Sequence, residues 1–349
     1  IISLLLVLLL FSVSCSKKEE PELAPLVEEL EEEIEEVQEE EEEIEEEQQV
    51  LVPRSLLSGV EVAGELAELP IVGVMLDNHP NARWQAGLRE AEIVYEIRVE
   101  GNFTRYLALF QVTDPEVIGP IRSARTPFIT RILEYDAIFA HFGASAHGTK
   151  SLNSFGVHSV DGMAVGLPVY YRNHSVGKEA PHNAYSSMAE IREYTQSRSF
   201  PEKTEFEGYE FYDEPTAPGG EKVEEFTLYI MPGNTTAYSY LSEEGIYHRY
   251  KDGALHIDEN DGEPLEVTNV IVQFVGNFMV DSEGPTDIGE VGEGKGLFFS
   301  QGEQVEITWE KADREAPTVF FDQEGQPLQL NIGQTFIQVV DENIEINME

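Results

Sequence analysis

Residues 19–50 hold 18 glutamates and no glycine, and this block limits what the chain can fold into more than any other stretch. Carboxylates at that density repel one another and bury nothing, so a core must come from residues downstream. The few apolar residues in the block are nevertheless ordered. Leu23, Leu30, Val37, Ile44 and Leu51 recur seven apart, with Val27 and Ile34 at alternate seam positions, until Glu41 and Gln48 break that second register. Two states fit the pattern: an extended, self-repelling tether, or a helical stalk with weak self-association. As a helix, about 30 residues would span roughly 45 Å.

The whole chain repeats the imbalance, with 22 Lys and Arg against 67 Asp and Glu and a net charge of −45. Such a field excludes nucleic acid as a partner, because phosphate backbones are held by clusters of Lys and Arg. It also disfavours direct adsorption to anionic lipid. Residues 1–11, IISLLLVLLLF, are too short to span a bilayer but suit the apolar region of a signal peptide. The following SVSC is similar to a bacterial lipobox, with Val13 and Ser14 in place and Ser12 departing from the usual Leu. Cys15, the expected lipidation site, is the sole cysteine, so no intrachain disulfide and no thiolate metal site can form. A lipid anchor on the extracytoplasmic face of the cell membrane is expected. The expected organisation is a signal peptide and lipobox over 1–15, a tether over 16–61, a mixed domain over 62–200, a linker over 201–225 and a β-rich domain over 226–349.

Within 62–200, IVGVML, AEIVYEIRVE and FTRYLALFQV read as strands, the last two joined at Gly101-Asn102 by a tight hairpin. Phe103, Arg105, Leu107 and Leu109 share one strand face. Thr126 is the expected N-cap of a helix with Pro127 in its first turn, and DAIFAHFG is another buried strand. SAHGTKSLNSFG reads as a helix or turn-rich connection ended by Gly156, and Ser187 with Glu190 forms a capping box before MAEIREYTQ. Residues 201–225 are rich in Glu, Pro and Gly, which places the boundary there. Short alternating strands with frequent turns follow, from EFTLYIM to TFIQVVD. The expected fold class is α+β: an N-terminal mixed α/β domain with a mixed sheet, then a mostly antiparallel β domain.

Several of these blocks are familiar together. VMLDNHPNARWQAGLREAEIVYEIRVEGNFTRYLALFQ, IGPIRSAR, YDAIFAHFGAS and APHNAY resemble successive blocks of the YerB-like family of bacterial lipoproteins. GEPLEVTNVIVQF, GEGKGLFF, ITWEKADREAPTVFF and GQTFIQVV resemble its C-terminal domain. The resemblance runs from residue 69 to 341 and implies a two-domain secreted lipoprotein. It implies no activity, since the family is defined without one.

The candidate chemistry starts with arginine. Between residues 70 and 135 every basic side chain is Arg, at 83, 89, 98, 105, 122, 125 and 131. A guanidinium offers a planar fork to carboxylate or phosphate, and a helix start adds free N–H groups. Arg122, Ser123 and Arg125 therefore suggest an oxyanion cradle. Asp77, Asn78, His141, His182 and Asn183 are expected to line its opposite wall, with His79, Arg83, Arg105, Ser145 and Arg172 as further candidates, because loops at strand ends open crevices and parallel strands would set these loops on one edge. The competing reading is internal: Glu92, Glu96, Glu100 and Glu134 can pair with the arginines, and His79 and Asn183 can serve as turn formers.

Other motifs carry less. Six of eight histidines fall between 79 and 182, but none has HExxH-type spacing. GASAH has His147 where a nucleophile elbow needs glycine. Glu96 and Glu100 alternate on one strand face beside arginines, which favours ion pairing over glycoside hydrolysis. DENDG places Gly262 one position early for an EF-hand. No catalytic residue, metal or cofactor is assigned. The expected function is non-catalytic binding of an anionic envelope ligand or partner peptide. The alternative is a cell-wall hydrolase or transferase using Asp77 and the histidines, with or without a metal.

Overall fold

Apolar runs from both halves of the chain meet in one large sheet. The computed structural model describes residues 52–276, 278–281 and 284–349, so Cys15, the signal-peptide and lipobox segment and the heptad-patterned Glu block lie outside the described residues. Strands β1 (Val72–Asp77), β2 (Ile93–Arg98), β3 (Thr104–Phe110), β4 (Ile138–His141) and β5 (Ser159–Asp161) come from the first half. The β2–β3 hairpin turns at Gly101, where φ is 66°, a backbone state that a side chain would strain. β1 runs antiparallel to β3 and parallel to β4, and β4 parallel to β5, so the sheet is mixed.

Three helices support it: α1 (Thr126–Glu134), α2 (Ala146–Phe155) and α3 (Met188–Gln196). α1 lays Phe128, Ile129 and Ile132 against Tyr95, Leu107 and Leu109 in one apolar cluster. Gly73 permits the approach, since a Cβ there would meet Ile132 at 2.3 Å. The N-cap position of α1 is Arg125, one residue before the expected Thr126, because Arg125 is already extended at φ −132° and ψ 150°. Its side chain makes no cap bond. α2 and α3 start as the sequence suggests, with Ser145 Oγ accepting from Gly148 N at 3.1 Å and Ser187 Oγ from Glu190 N at 3.2 Å.

The second half supplies β6 (Glu225–Met231), β7 (Asn234–Leu241), β8 (Ile246–Lys251), β9 (Asn269–Val275), β10 (Gly292–Ser300), β11 (Glu303–Lys311), β12 (Val319–Phe321), β13 (Thr335–Asp341) and β14 (Glu345–Met348). β8, β7, β6 and β14 follow one another in a separate antiparallel sheet. The others extend the large sheet in the order β12-β11-β10-β9-β13-β2-β3-β1-β4-β5. The class is α+β, a mixed first part followed by a mostly antiparallel second part. The expected boundary at 201–225 nevertheless separates no cores, for β13 inserts parallel between β9 and β2, and Val52–Glu349 forms one compact unit. Parallel strands buried on both faces read as near-continuous apolar runs, which TFIQVV is but for Thr335 and Gln338, and such a run does not name its neighbours.

The smaller sheet packs on the large one through a shared cluster that includes Val94, Tyr106 and Phe336 on one side and Phe226, Leu228 and Tyr238 on the other. A charged joint lies between them. Glu96 of β2 meets Arg249 and Lys251 of β8, all three side chains 0 % exposed, with Lys251 Nζ 2.8 Å from Oε1. Asn78 and Thr104 also donate to Glu96. His256 is buried beside Arg249, and its Nε2 donates to Gln85 Oε1 at 2.8 Å.

Two outcomes follow. Glu96→Gln leaves two buried cations without a counter-charge and should cost about 3–5 kcal/mol in urea denaturation. Acid should also weaken the fold. Burial alone raises the Glu96 carboxyl, but Lys251 and Arg249 outweigh it and hold it at about 2, against 4.5 ordinarily. Its contribution is complete above 4.5 and is lost as pH falls toward 2. Burial, then Arg249, push His256 well below 6.5, so the unfolded chain takes up that proton first. Denaturant midpoints should therefore decline from near pH 6.5 downward and steepen below 4.5; a flat profile across both ranges contradicts the assignment.

Candidate functional site

Because β1 and β4 are parallel, Asp77 and Gly143 leave the sheet at the same edge. The chain from Ile121 to Ala124 crosses that edge. Arg122 N donates to Met75 O at 2.8 Å, Phe142 N to Arg122 O at 2.9 Å and Ala124 N to Gly143 O at 2.9 Å. The backbone thereby fixes Arg122 beside Asp77.

Asp77 is buried and shared. Its Oδ2 accepts from His182 Nδ1 at 2.8 Å and lies 3.1 Å from Arg122 Nε, while its Oδ1 accepts from His79 N at 3.0 Å. The His79 and His182 rings stack at 21° with centroids 4.5 Å apart. Burial, then repulsion by His182, lower His79 below its usual 6.5, which keeps that ring neutral at pH 7. The Arg122 side chain is 26 % exposed, and its Nε touches Asp77 without hydrogen-bond alignment. Among the described residues no acceptor takes a hydrogen bond from the Arg122 side chain. Arg172 lies 4.5 Å over the Phe142 ring and donates to Asn183 Oδ1 at 3.1 Å, with no carboxylate partner among the described residues. Burial, then the Arg122 charge, lower Arg172, so the two forks feel each other.

The rest of the expected cradle is otherwise engaged. Arg125 closes on Glu100 with both Nε and Nη2, the former at 2.9 Å, and its Nη1 donates to Ala124 O at 3.0 Å. Arg105 reaches the same Glu100 at 3.0 Å and donates to the Ser123 carbonyl. Burial, then Arg125, pull Arg105 down to about 9, so it keeps its charge at neutral pH. Burial raises Glu100, but its bonds to Arg125 and Arg105 outweigh that and lower it. The internal reading therefore holds for these two arginines, as it does for Arg131, which pairs with Glu134.

The opposite wall divides likewise. His141 is fully buried, bonded to Gly143 O at 2.8 Å and Ser159 Oγ at 2.6 Å, and cannot face a ligand. Ser145 caps α2 and Asn78 serves the Glu96 joint. Arg83 pairs with Asp252 at 2.7 Å. Asn183 is buried, holding Lys178 O at 3.1 Å and orienting Arg172. The structure thus gathers Asp77, His79, Arg122, Arg172, His182 and Asn183; Arg83 and Arg105 stand close enough to act on them by charge but have carboxylate partners of their own. Phe142, the platform under Arg172, was missed by the sequence reading; its only signal is its place directly after β4. Among the described residues no three His, Cys, Asp or Glu side chains are arranged to hold a metal.

These features define a two-part α+β protein with a cationic corner at a parallel strand edge. Its relatives share the architecture. Residues 57–201 and 226–337 match the N-terminal and C-terminal domains of a family described as a protein of unknown function, DUF3048. A Bacillus subtilis (strain 168) protein named "Putative lipoprotein YerB" is 31 % identical over 288 residues, covering 81 % of this chain and 85 % of that one. The crystal structure of YerB from Bacillus subtilis matches with a TM-score of 0.75 at 30 % identity, covering 84 % of this chain and 99 % of that one. The chain belongs to this YerB-like family.

The two arginines at the helix start should behave differently. Arg125→Ala removes charge-assisted bonds from a half-buried carboxylate and should cost about 1–3 kcal/mol. Arg122→Ala removes no aligned hydrogen bond, only a 3.1 Å contact with a carboxylate that His182 also serves, and should cost less than Arg125→Ala. Parallel urea titrations compare them, and equal losses would contradict the different pairing of the two forks.

Proposed function

We propose that this chain is a lipid-anchored envelope protein that binds an anionic group, without catalysis, at the Arg122–Arg172 corner. The lipobox-like Cys15 and the name of the B. subtilis relative support the anchor and the extracytoplasmic side. The observation that carries the binding reading is the charge count at the corner. Arg122 and His182 share a single carboxylate, Asp77, and Arg172 stands close enough to Arg122 to feel its charge. Among the described residues Arg172 has no carboxylate partner, and the Arg122 guanidinium has only its unaligned contact with Asp77. A phosphate or carboxylate offers the planar, bidentate acceptor that both forks are built for. Asn183 orients the Arg172 fork, and the Met75 and Phe142 bonds hold the Arg122 backbone in place, which lowers the ordering cost of binding.

The test uses defined probes, glycerol 3-phosphate and a soluble polymeric phosphodiester, in thermal-shift titrations of the full chain. Both should raise the melting temperature, and the R122A/R172A variant should remain folded with a cooperative melt yet show no rise. A rise that survives in that variant removes the proposal.

A second reading rests on one contact. Asp77 orients His182 through Nδ1 at 2.8 Å, and no group among the described residues bonds its other ring nitrogen. A carboxylate-oriented imidazole is the arrangement of a general base. No hydroxyl bonds His182 among the described residues, so water is the nucleophile this reading requires, in a cell-wall hydrolase. Release of product from purified wall material by the parent, absent in His182→Ala, would favour this reading. Anion binding without turnover in the parent favours the first.

A further inference from the structure

Away from the Asp77 corner, the C-terminal end of α1, residues 205–210 and the loop leading into β12 enclose a cavity of about 560 Å³. Its floor is apolar, built from Phe206, Tyr209, Ile271, Phe320, Leu328 and Leu330. Its rim is not. Glu205, Glu207, Glu210 and Glu315 line it, joined by Asp136, and no Lys or Arg does. Those four glutamates are exposed and form no ion pair among the described residues. Glu134, the buried acid of the lining, is already answered by Arg131 and by Lys311 at 2.9 Å. The carboxyl end of α1 opens onto the same space and adds the negative pole of its dipole.

We propose that this cavity docks a polypeptide segment whose aromatic or aliphatic side chain is flanked by Lys or Arg. The volume falls within the roughly 300–1,000 Å³ of pockets that enclose a specific ligand. An apolar side chain on the floor loses its contact with water, and flanking cations relieve the mutual repulsion of four unpaired carboxylates. Acidity alone selects nothing in a chain of net charge −45. Selection comes from an apolar floor enclosed by unpaired acids, which demands both features in one partner. Nucleic acid and anionic lipid carry the wrong sign for that rim. The proposal is independent of the Arg122–Arg172 corner, and each can fail alone.

Fluorescence polarisation of the full chain with an end-blocked, labelled peptide, Lys-Leu-Phe-Lys-Lys, tests it. Binding should weaken roughly tenfold between about 50 and 200 mM salt. It should weaken by at least that much in the E205K/E207K variant, whose substituted side chains have no partner to lose. Circular dichroism melts confirm that the variant folds, and Glu315→Lys provides an independent change on the other side of the rim. Lys-Gly-Gly-Lys-Lys and Glu-Leu-Phe-Glu-Glu should not bind. Equal affinity for the glycine peptide would reduce the effect to surface charge, and unchanged affinity in both variants would place the peptide elsewhere. No binding by the first peptide ends the proposal, and full competition by phenethylammonium would reassign the cavity to a small organic cation.

Discussion

The meeting of Glu96 with Arg249 and Lys251, sealed between two sheets, is the contact on which the arrangement of both halves depends. Apolar burial brings the sheets together but does not choose their register, since it is non-directional. The triad does choose. A dock shifted by one strand position would strand two cations and a carboxylate in the interior, at a cost that apolar contacts in the wrong place do not recover. Thr104, Asn78 and Thr236 complete the hydrogen bonding of the carboxylate, and neutral His256 accepts from Arg249. The partners come from strands that sequence order keeps far apart, so the joint acts as a check on the assembled fold.

The Asp77 corner inherits its geometry from that scaffold. β2 and β3 are held against the second sheet, β1 pairs with β3, and β4 pairs with β1, so the edge where Arg122 crosses is rigidly placed. Glu100 then decides which arginines remain free. It answers Arg105 and Arg125 together and leaves Arg122 with only a share of Asp77. A local positive spot on so acidic a chain arises from this uneven division of carboxylates, not from an excess of arginine.

Much of this was legible in the residues themselves. The Gly101 hairpin, the Ser187 cap and alternating strands such as QVEITW follow from local turn chemistry and period-two alternation, and these need no knowledge of distant partners. The shared sheet was not legible. TFIQVV announces a buried strand but not that β2 and β9 are its neighbours, because register between distant segments leaves no local trace. The site shows the same division. Arg122 and Asp77 were expected on facing walls of one crevice, and the parallel pairing of β1 with β4 sets them side by side. That Glu100 would close on Arg125 was open among four candidate acids, and His141 was placed in an open wall although the sheet buries it completely. Asn78 read as a strand-end ligand, yet it serves Glu96 through a side-chain bond that only the packed sheets create.

The position of β13 has a consequence for how the molecule is made. Synthesis proceeds from the first residue, so β2 and β9 both exist before the strand that fits between them. Until then each presents an open ladder of amide and carbonyl groups along an apolar face, the surface on which unrelated strands pair by mistake. The chain's dense negative charge bears on that unfinished state, because like-charged copies repel one another while the central gap waits to be filled.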